Sequence, residues 1–281
     1  MRYKSLDISE IDEFFFLCKP SRGGNIGLFV KNRKALIIDS GYYPKTASDI
    51  LSFIRESLTA EPVLLFNTHY HSDHTFGNQA FDCPILSSKA CADRMRRGPA
   101  SFWSPEEINK AKAEDTILAG EWRDLRITFP AEIFESEFEY SLEDEKVVFR
   151  KLGGHTPGSA VALFPRHDII FTGDLLFIGV YPTLLRDGDP FELIEALQDL
   201  KAMHAKKYVP GHGYLCDDSA IDSLANYWQC LTAAIGKAVD SGQDDNSIID
   251  ETSNKCRLDG IEYDDFRHKR NIKSILAFLR K

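Results

Sequence analysis

The sequence predicts a mixed α/β fold, and two observations support this. Short apolar segments typical of strands alternate along the 281 residues with segments of helical periodicity, and residues that can bind metals follow several of the predicted strands. No internal repeat, low-complexity segment or Pro/Gly-rich linker divides the chain. We therefore expect a single domain over residues 1–281, with a helical insertion at about 89–118 and a helical C-terminal region at about 217–281.

Four strands and one helix are predicted before the first cluster of metal-binding residue types. The strands cover residues 12–18, 26–31, 34–39 and 63–66. A turn at 21–25 separates the first two strands, and Pro62 opens the last. The helix covers residues 46–58, where helical spacing places four apolar side chains on one face: Ile50, Leu51, Ile54 and Leu58.

The remaining chain is predicted to contain further helices and short strands. Helices are expected over residues 89–97, 105–118 and 190–203, and from about 217 onwards. Ser104 and Pro105 favour a helix start, because Ser is a preferred N-cap and Pro suits the first turn. Strands are expected over residues 125–129, 146–150, 160–164, 169–171 and 207–209. Residues 165–168 predict a hairpin turn that exposes His167.

Composition and charge exclude some classes of partner. The formal net charge is −9 and the isoelectric point is about 5.4, which opposes non-specific binding to nucleic acid or to an anionic membrane. Acidic residues interrupt the N-terminal segment, and no apolar segment is long enough to span a bilayer. We expect a cytoplasmic protein that acts on a small molecule and binds neither nucleic acid nor membranes.

The cysteines show neither a C-x-x-C pair nor zinc-finger spacing. Because no export signal is visible, we expect all of them to be reduced thiols, several of them in the core. They are Cys18, Cys83, Cys91, Cys216, Cys230 and Cys256.

The strongest functional pattern is an H-x-H-x-D-H motif over residues 69–74. It follows the predicted strand 63–66 and supplies four potential metal ligands: His69, His71, Asp73 and His74. Imidazole and carboxylate groups are ligands that zinc and similar metals favour. A regular strand or helix could not direct all four groups to one point, whereas a loop can direct them to two adjacent ions.

Three later segments repeat the same local design, in which a potential ligand follows an apolar strand in a tight turn. His155 lies in the Gly/Pro-rich segment 153–159. Asp174 lies at the end of the strand over 169–171, after Thr172 and Gly173. His212 lies between two glycines after the strand over 207–209. Because ligands past the carboxyl ends of strands can share one edge of a sheet, these residues are candidates for the same centre.

These motifs resemble those of the metallo-β-lactamase superfamily over about residues 12–215. The resemblance implies an αββα four-layer sandwich, in which two facing β-sheets are covered by helices and the metals lie at one edge. It implies that His69, His71 and His155 bind a first metal, and that Asp174 bridges to a second. The ligands that it implies for the second metal are Asp73, His74 and His212. Asp39 matches an acidic residue that orients the metal loop.

The chemistry implied by the resemblance is hydrolysis at two divalent metal ions, expected to be zinc, with iron or manganese as alternatives. Two such ions about 3.5–4 Å apart can share a water and lower its pKa toward about 7. A hydroxide that bridges the metals would attack the carbonyl of an ester, thioester, lactone or amide. Asp73 is the candidate catalytic residue, because it would also orient the hydroxide or pass on its proton.

Individual residues narrow the choice of branch within the superfamily. His71 differs from the Glu of flavodiiron proteins, and Asp174 argues against antibiotic hydrolysis. All seven ligands are shared with hydroxyacylglutathione hydrolases, whose glutathione-binding residues have no match here. They are also shared with acyl-homoserine lactonases, which have Tyr at the position of Phe177. Two other functions stay open: a mononuclear iron oxidoreductase similar to persulfide dioxygenases, and a sensor that keeps the metal site without turnover.

The substrate pocket is expected to be walled by two aromatic segments outside the metal motifs. The first lies in the insertion and contains Phe102 and Trp103, and the second covers residues 177–186 and contains Phe177 and Tyr181. Both segments have few charges, which favours an apolar or acyl-bearing substrate. The same aromatic residues could instead pack a subdomain or a homodimer contact.

Overall fold

The structure is a computed structural model, and it describes residues 1–4, 6–97, 104–258 and 260–281. The first sheet contains eight strands in chain order: β1 (Arg2–Tyr3), β2 (Leu6–Asp12), β3 (Phe15–Pro20), β4 (Ile26–Lys31), β5 (Lys34–Ile38), β6 (Glu61–Asn67), β7 (Ile85–Ser88) and β8 (Glu132–Phe134). Strands β5 to β8 run parallel to one another, and the preceding pairs are antiparallel.

The second sheet is smaller and has the strand order β13-β12-β11-β10-β9. Its strands are β9 (Glu137–Leu142), β10 (Glu145–Lys151), β11 (Ala160–Phe164), β12 (Ile169–Ile178) and β13 (Lys207–Gly213). In this sheet only β12 and β13 pair in parallel, because the helix over Pro190–Ala202 connects them as a crossover. The carboxyl ends of both strands therefore reach the same edge of the sheet.

Helices cover the outer faces of the two sheets. They are α1 (Pro44–Glu56), α2 (Ser72–Thr75), α3 (Lys89–Arg97), α4 (Pro105–Glu114), α5 (Thr116–Glu121), α6 (Pro190–Ala202), α7 (Ser219–Asp240), α8 (Asp245–Thr252) and α9 (Asp265–Leu279). Helix α1 packs on the outside of the first sheet, while α6, α7 and α9 pack on the outside of the second. The αββα four-layer architecture predicted from the motifs is therefore confirmed.

The core between the sheets is rich in phenylalanine. The Phe15 ring lies 4.9 Å from that of Phe164, and the Phe66 ring lies 4.5 Å from that of Phe149, so each pair joins the two sheets. Strand β3 is buried on both faces because successive side chains alternate between this core and the layer under α1. Burial on both faces explains why its sequence is an apolar run rather than an alternating pattern.

Several predicted elements differ from the structure. The strand predicted over 12–18 is interrupted by a turn at residues 13–14, which joins β2 to β3. Residues 125–129 are irregular, and the edge strands β8 and β9 lie further along the chain. The helix predicted over 105–118 is two helices, because the Asp115 side chain accepts hydrogen bonds from the backbone at 117 and 118 and starts α5.

Two predictions about individual side chains were wrong. Cys230 and Cys256 form a disulfide with a Cα–Cα distance of 5.5 Å, so not every cysteine is a reduced thiol. His167 lies in the predicted turn but is only 16% exposed at its side chain, because it packs 5.0 Å from the Phe15 ring and 3.4 Å from a Glu145 carboxylate oxygen. Neither contact is visible from local sequence, since both join segments that are distant along the chain.

Within the described ranges, the helices are too short or too polar to cross a bilayer.

Candidate metal centre

The predicted metal ligands meet at one edge of the sandwich, past the ends of strands from both sheets. The motif over 69–74 follows β6 and includes the single helical turn α2. His155 lies in the turn that leads into β11, Asp174 lies within β12, and His212 lies near the end of β13. The β12–β13 pairing and the packing of the sheets together bring these distant segments to one place.

A first cluster contains His69, His71, His155 and Asp174, all buried. His69 Nε2 lies 3.0 Å from His71 Nδ1, which in turn lies 3.1 Å from His155 Nε2. Asp174 Oδ2 completes the cluster at 3.7 Å from His69 Nε2 and 3.5 Å from His155 Nε2. Three ring nitrogens and one carboxylate oxygen therefore converge on a common point.

A second cluster contains Asp73, His74 and His212. Asp73 Oδ2 lies 3.2 Å from His212 Nε2 and 3.8 Å from His74 Nε2. Asp174 Oδ1 faces this cluster at 3.1 Å from His74 Nε2 and 3.5 Å from His212 Nε2. Asp174 thus directs one oxygen to each cluster, as a bridging carboxylate does.

Both clusters fit a metal ion. Ligand atoms at 2.0–2.1 Å from a tetrahedral ion stand about 3.3–3.4 Å from one another, and the distances between donor atoms here scatter around that value. His74 Nε2 and Asp174 Oδ1, which lie 3.1 Å apart, are both buried, and neither makes a hydrogen bond of good geometry in the described part of the chain. Buried polar atoms without partners are costly, so a ligand for them is expected.

Asp39 orients the metal-binding loop from below. Its Oδ2 lies 2.8 Å from His74 Nδ1 and accepts a hydrogen bond from the Thr68 hydroxyl, while its Oδ1 accepts one from the Thr68 backbone N–H. The contact with Nδ1 turns the other ring nitrogen of His74 toward the cluster. The structure therefore places Asp39 where the sequence predicts an orienting carboxylate.

A cavity of about 270 Å³ opens directly onto these clusters. Its walls outside the metal ligands include the side chains of Phe177, Thr183, Leu185, Arg267 and Arg270. Phe177 stacks on the His212 ring at 5.1 Å, so this predicted substrate residue does face the cavity. The other predicted wall, Phe102 and Trp103, lies outside the described residues.

Tyr181 does not line the cavity, contrary to the sequence-based prediction. Its side chain is buried, and its hydroxyl lies 3.1 Å from His268 Nδ1 on α9. The same His268 nitrogen lies 3.0 Å from the Tyr227 hydroxyl on α7. Tyr181 therefore packs against the C-terminal helices behind the cavity wall.

Sequence reasoning missed the two arginines of α9. Arg267 forms an ion pair with Asp264 at 3.4 Å, whereas no ion pair to Arg270 is found among the described residues. Burial, together with the neighbouring Arg267, lowers the pKa of the half-buried Arg270 guanidinium. The sequence offers a signal for Arg267, which lies in the first turn of α9. A basic residue there opposes the helix dipole and is therefore unusual.

Residues 20–212 match the sequence model of the metallo-beta-lactamase superfamily, which is more than half of the chain. The chain belongs to this superfamily. The prediction from the H-x-H-x-D-H motif and the three later segments is thereby confirmed at the level of family and fold. Helices α7 to α9, which carry the two arginines, lie outside the matched range.

Curated superfamily relatives are hydrolases with low sequence identity to this chain. A hydroxyacylglutathione hydrolase from Brucella anthropi is 28% identical over 73% of this chain and 65% of its own length. A second hydroxyacylglutathione hydrolase, from Synechococcus sp., is 27% identical over 57% of this chain and 52% of its own length. An acyl-coenzyme A thioesterase from Gallus gallus is 24% identical over 72% of this chain and 76% of its own length. The chain thus spans less than two thirds of the two hydroxyacylglutathione hydrolases.

Solved metallo-β-lactamase structures share the fold. A metallo-beta-lactamase from Pontibacter korlensis superposes with a TM-score of 0.63 at 20% identity, covering 80% of this chain and 99% of that one. The DIM-1 metallo-beta-lactamase superposes with a TM-score of 0.58, also at 20% identity, covering 79% of this chain and 97% of that one. At this identity, the likeness shows the fold alone.

The protonation states of the first cluster suit metal binding. Burial lowers the pKa of His69 well below its usual range, and burial together with the neighbouring His155 lowers the pKa of His71 to about 3. Burial likewise lowers the pKa of His155. These rings are neutral at physiological pH, so their lone pairs are available to a metal.

The two histidines of the second cluster, His74 and His212, have raised pKa values. Burial lowers the pKa of His212, but Asp174 and Asp73 outweigh it and raise the pKa to about 9. Burial is similarly outweighed for His74, whose pKa is raised by Asp174 and Asp39. The nearby histidines hold the pKa of Asp174 well below its usual range despite burial. A metal that binds this cluster must therefore displace protons from imidazolium groups.

Gly24 allows His74 to occupy its position, and replacing it with alanine should disrupt the second cluster. A Cβ atom on residue 24 would lie 2.4 Å from His74 Cε1 and 2.6 Å from Nε2. Because Asp39 holds the other side of the His74 ring, the ring can move only by leaving the cluster. We expect metal content to fall from about two ions to about one per chain in Gly24→Ala, as measured by elemental analysis.

The matched control is Gly236→Ala in α7, where an added Cβ meets no atom within 4 Å. This control should keep its metal and gain about 0.5–1 kcal/mol of stability, since alanine is the better helix former. Full metal content in Gly24→Ala would show that residue 24 does not support the His74 position.

Proposed function

We propose that this protein is a metal-dependent hydrolase of acyl thioesters or esters that carry a negatively charged group. The observation that carries the proposal is the cavity itself, where two metal-binding clusters joined by Asp174 lie below two arginines. The names of the relatives state activity on hydroxyacylglutathione and on acyl-coenzyme A, which are thioesters with anionic thiol carriers. The arginines on α9 match that shared chemistry.

The protein residues divide the work within the cavity. The clusters fit two divalent metals, for which we propose zinc with iron or manganese as alternatives, and such ions activate water and polarise a carbonyl. Asp73 faces the cavity, and despite burial His74 and His212 hold its pKa below the usual range. A carboxylate of such low basicity accepts hydrogen bonds but stores a proton poorly. We therefore assign Asp73 the role of orienting the attacking water.

Arg270 is assigned to the negative group of the substrate. The Arg270 guanidinium is half-buried, lies 5.0 Å from the Phe266 ring and forms no ion pair with a carboxylate in the described part of the chain, so an anionic ligand would replace hydration that it has lost. Phe177, Thr183 and Leu185 offer a mainly apolar surface beside it, which suits an acyl chain or the stem of a thiol carrier. The charged group and the reacting carbonyl would thus be held in the same cavity by different residues.

The test compares anionic and neutral thioesters that share one acyl group. Metal-loaded protein would be assayed with a hydroxyacylglutathione, an acyl-coenzyme A and the corresponding thioester of N-acetylcysteamine, which is neutral. We expect Arg270→Ala to raise KM for an anionic substrate about tenfold or more, because a charge-assisted hydrogen bond is worth about 1.5–3 kcal/mol. KM for the neutral thioester should stay within about twofold.

The matched control is Lys273→Ala, which removes an exposed charge from the same helix outside the cavity. An equal KM change for neutral and anionic substrates would contradict the role of Arg270. A wild-type protein that binds a single iron and consumes oxygen in the presence of thiol substrates would instead support the oxidoreductase alternative.

A further inference from the structure

Residues 181–185 form one wall of the cavity and face two ways. The side chains of Thr183 and Leu185 line the cavity. The backbone groups of Tyr181, Pro182 and Leu184 face α9 and are bonded to its side chains. The segment therefore lies between the cavity on one side and the C-terminal helix α9 on the other.

This wall has no regular secondary structure and few backbone–backbone hydrogen bonds. It lies between β12 and α6 in neither a strand nor a helix. In the ranges that the structure describes, four of its five residues, 181–184, take part in no backbone–backbone hydrogen bond. A segment of this kind keeps one conformation only if side chains elsewhere hold it.

Asn271 supplies two of the hydrogen bonds that hold the wall, beside the buried side chains of Tyr181 and Leu184. It is fully buried, and its Nδ2 donates to the Pro182 carbonyl at 3.0 Å and to the Tyr227 hydroxyl at 3.0 Å. Its Oδ1 accepts the Leu184 backbone N–H at 2.9 Å. The amide thus bonds two backbone groups of the wall at once while α7 fixes it from behind.

A second contact acts nearby on the same segment. Arg267 Nη1 donates to the Tyr181 carbonyl at 2.8 Å while its guanidinium also lines the cavity. Arg267 therefore contacts the substrate space directly, whereas Asn271 lies behind the wall and does not line the cavity. Of these two residues, Asn271 is the one that can be altered without changing the cavity surface.

We propose that Asn271 is a positioning residue, which sets substrate affinity by holding residues 181–185 in the conformation that forms the cavity wall. The effect on substrate rests on the proposed hydrolase function, whereas the effect on the wall does not. If the held conformation falls to a tenth of the population, the apparent affinity falls tenfold. The metal ligands lie on other elements, so the bond-breaking step should be affected less.

The test compares metal-loaded Asn271→Ala and Asn271→Asp with the wild type. Arg186 is exposed directly after the wall, so trypsin cleavage after it reports release of the segment without any substrate. For Asn271→Ala we expect about tenfold faster cleavage at Arg186, about tenfold higher KM for an acyl-coenzyme A, kcat within about twofold, and unchanged metal content. Asn271→Asp keeps the acceptor for Leu184 N–H but as a carboxylate cannot donate to Pro182, so we expect intermediate values.

The control is Ser274→Ala, which removes a buried hydroxyl one turn further along α9. It should match the wild type in both readouts. Unchanged cleavage in both Asn271 variants, or faster cleavage with unchanged KM, would overturn the proposal. If no variant and no wild-type sample hydrolyses a thioester, the proposed function fails, and the cleavage rate at Arg186 still decides whether Asn271 holds the wall.

Discussion

Replacing Asp174 with alanine should reduce metal content from about two ions per chain to one or fewer and lower hydrolytic activity at least about 100-fold. Among the residues that the structure describes, Asp174 alone directs one side-chain oxygen to each of the two clusters. Removing it takes one donor from each cluster and also takes away the negative charge that stabilises two neighbouring cationic histidines. His74 and His212 would lose a carboxylate that stabilises their charged forms, and the charge of a divalent ion would be less well neutralised.

The measurement is elemental analysis of protein purified without added metal, combined with the thioester assay. Asp174→Asn is the matched variant, because it keeps the side-chain volume and removes the charge. We expect the Asp174→Asn variant to lose metal nearly as readily as Asp174→Ala, since a neutral amide is a weak ligand for zinc-like ions. Two ions per chain and full activity in either variant would mean that Asp174 does not bridge the clusters.

Breaking the Cys230–Cys256 disulfide should lower the free energy of unfolding by about 3–4 kcal/mol. The bond joins α7 to the segment after α8 across a sequence separation of 26 residues. Closing a loop of that length in the unfolded chain removes conformational entropy of about this size. The segment after α8 packs against the helices whose side chains hold the cavity wall, so loss of the disulfide should affect the C-terminal region first.

The measurement is guanidinium unfolding of Cys230→Ser beside the wild type, with and without a dithiol reductant. Cys230 is exposed, so a reductant can reach the bond. The reduced wild type should unfold like the variant, and Cys216→Ser, which alters a free and half-buried thiol, should unfold nearly like the wild type. Six reactive thiols per chain in protein denatured without reductant would show that the bond is not formed.

Much of the fold was predictable because its strands have clear local signals. The segments 26–31, 34–39 and 63–66 are apolar, end at turns and correspond closely to β4, β5 and β6. The edge strands β8 and β9 were missed because they have exposed and charged residues, as edge strands often do. The pairing of β8 depends on β7, which is distant along the chain and was not recognised from its local pattern.

The sequence by itself determined which residue types meet at the metal centre. His69, His71, Asp73 and His74 lie within one short motif, and the other candidate ligands each lie in or shortly after a strand of the same sandwich. Such information is local, since an apolar strand pattern beside each ligand marks it. A single chain was therefore enough to predict the seven residues that the structure brings together.

Only the tertiary structure decided what surrounds that centre. Tyr181 turns away from the cavity because α9 offers it a buried histidine, while Arg267 and Arg270 enter the cavity from the same helix. The partners of residues 181–185 lie more than 80 positions along the chain. Contacts of this kind depend on how a distant helix packs, and an amphipathic helix pattern fixes neither its neighbour nor the direction of its polar side chains.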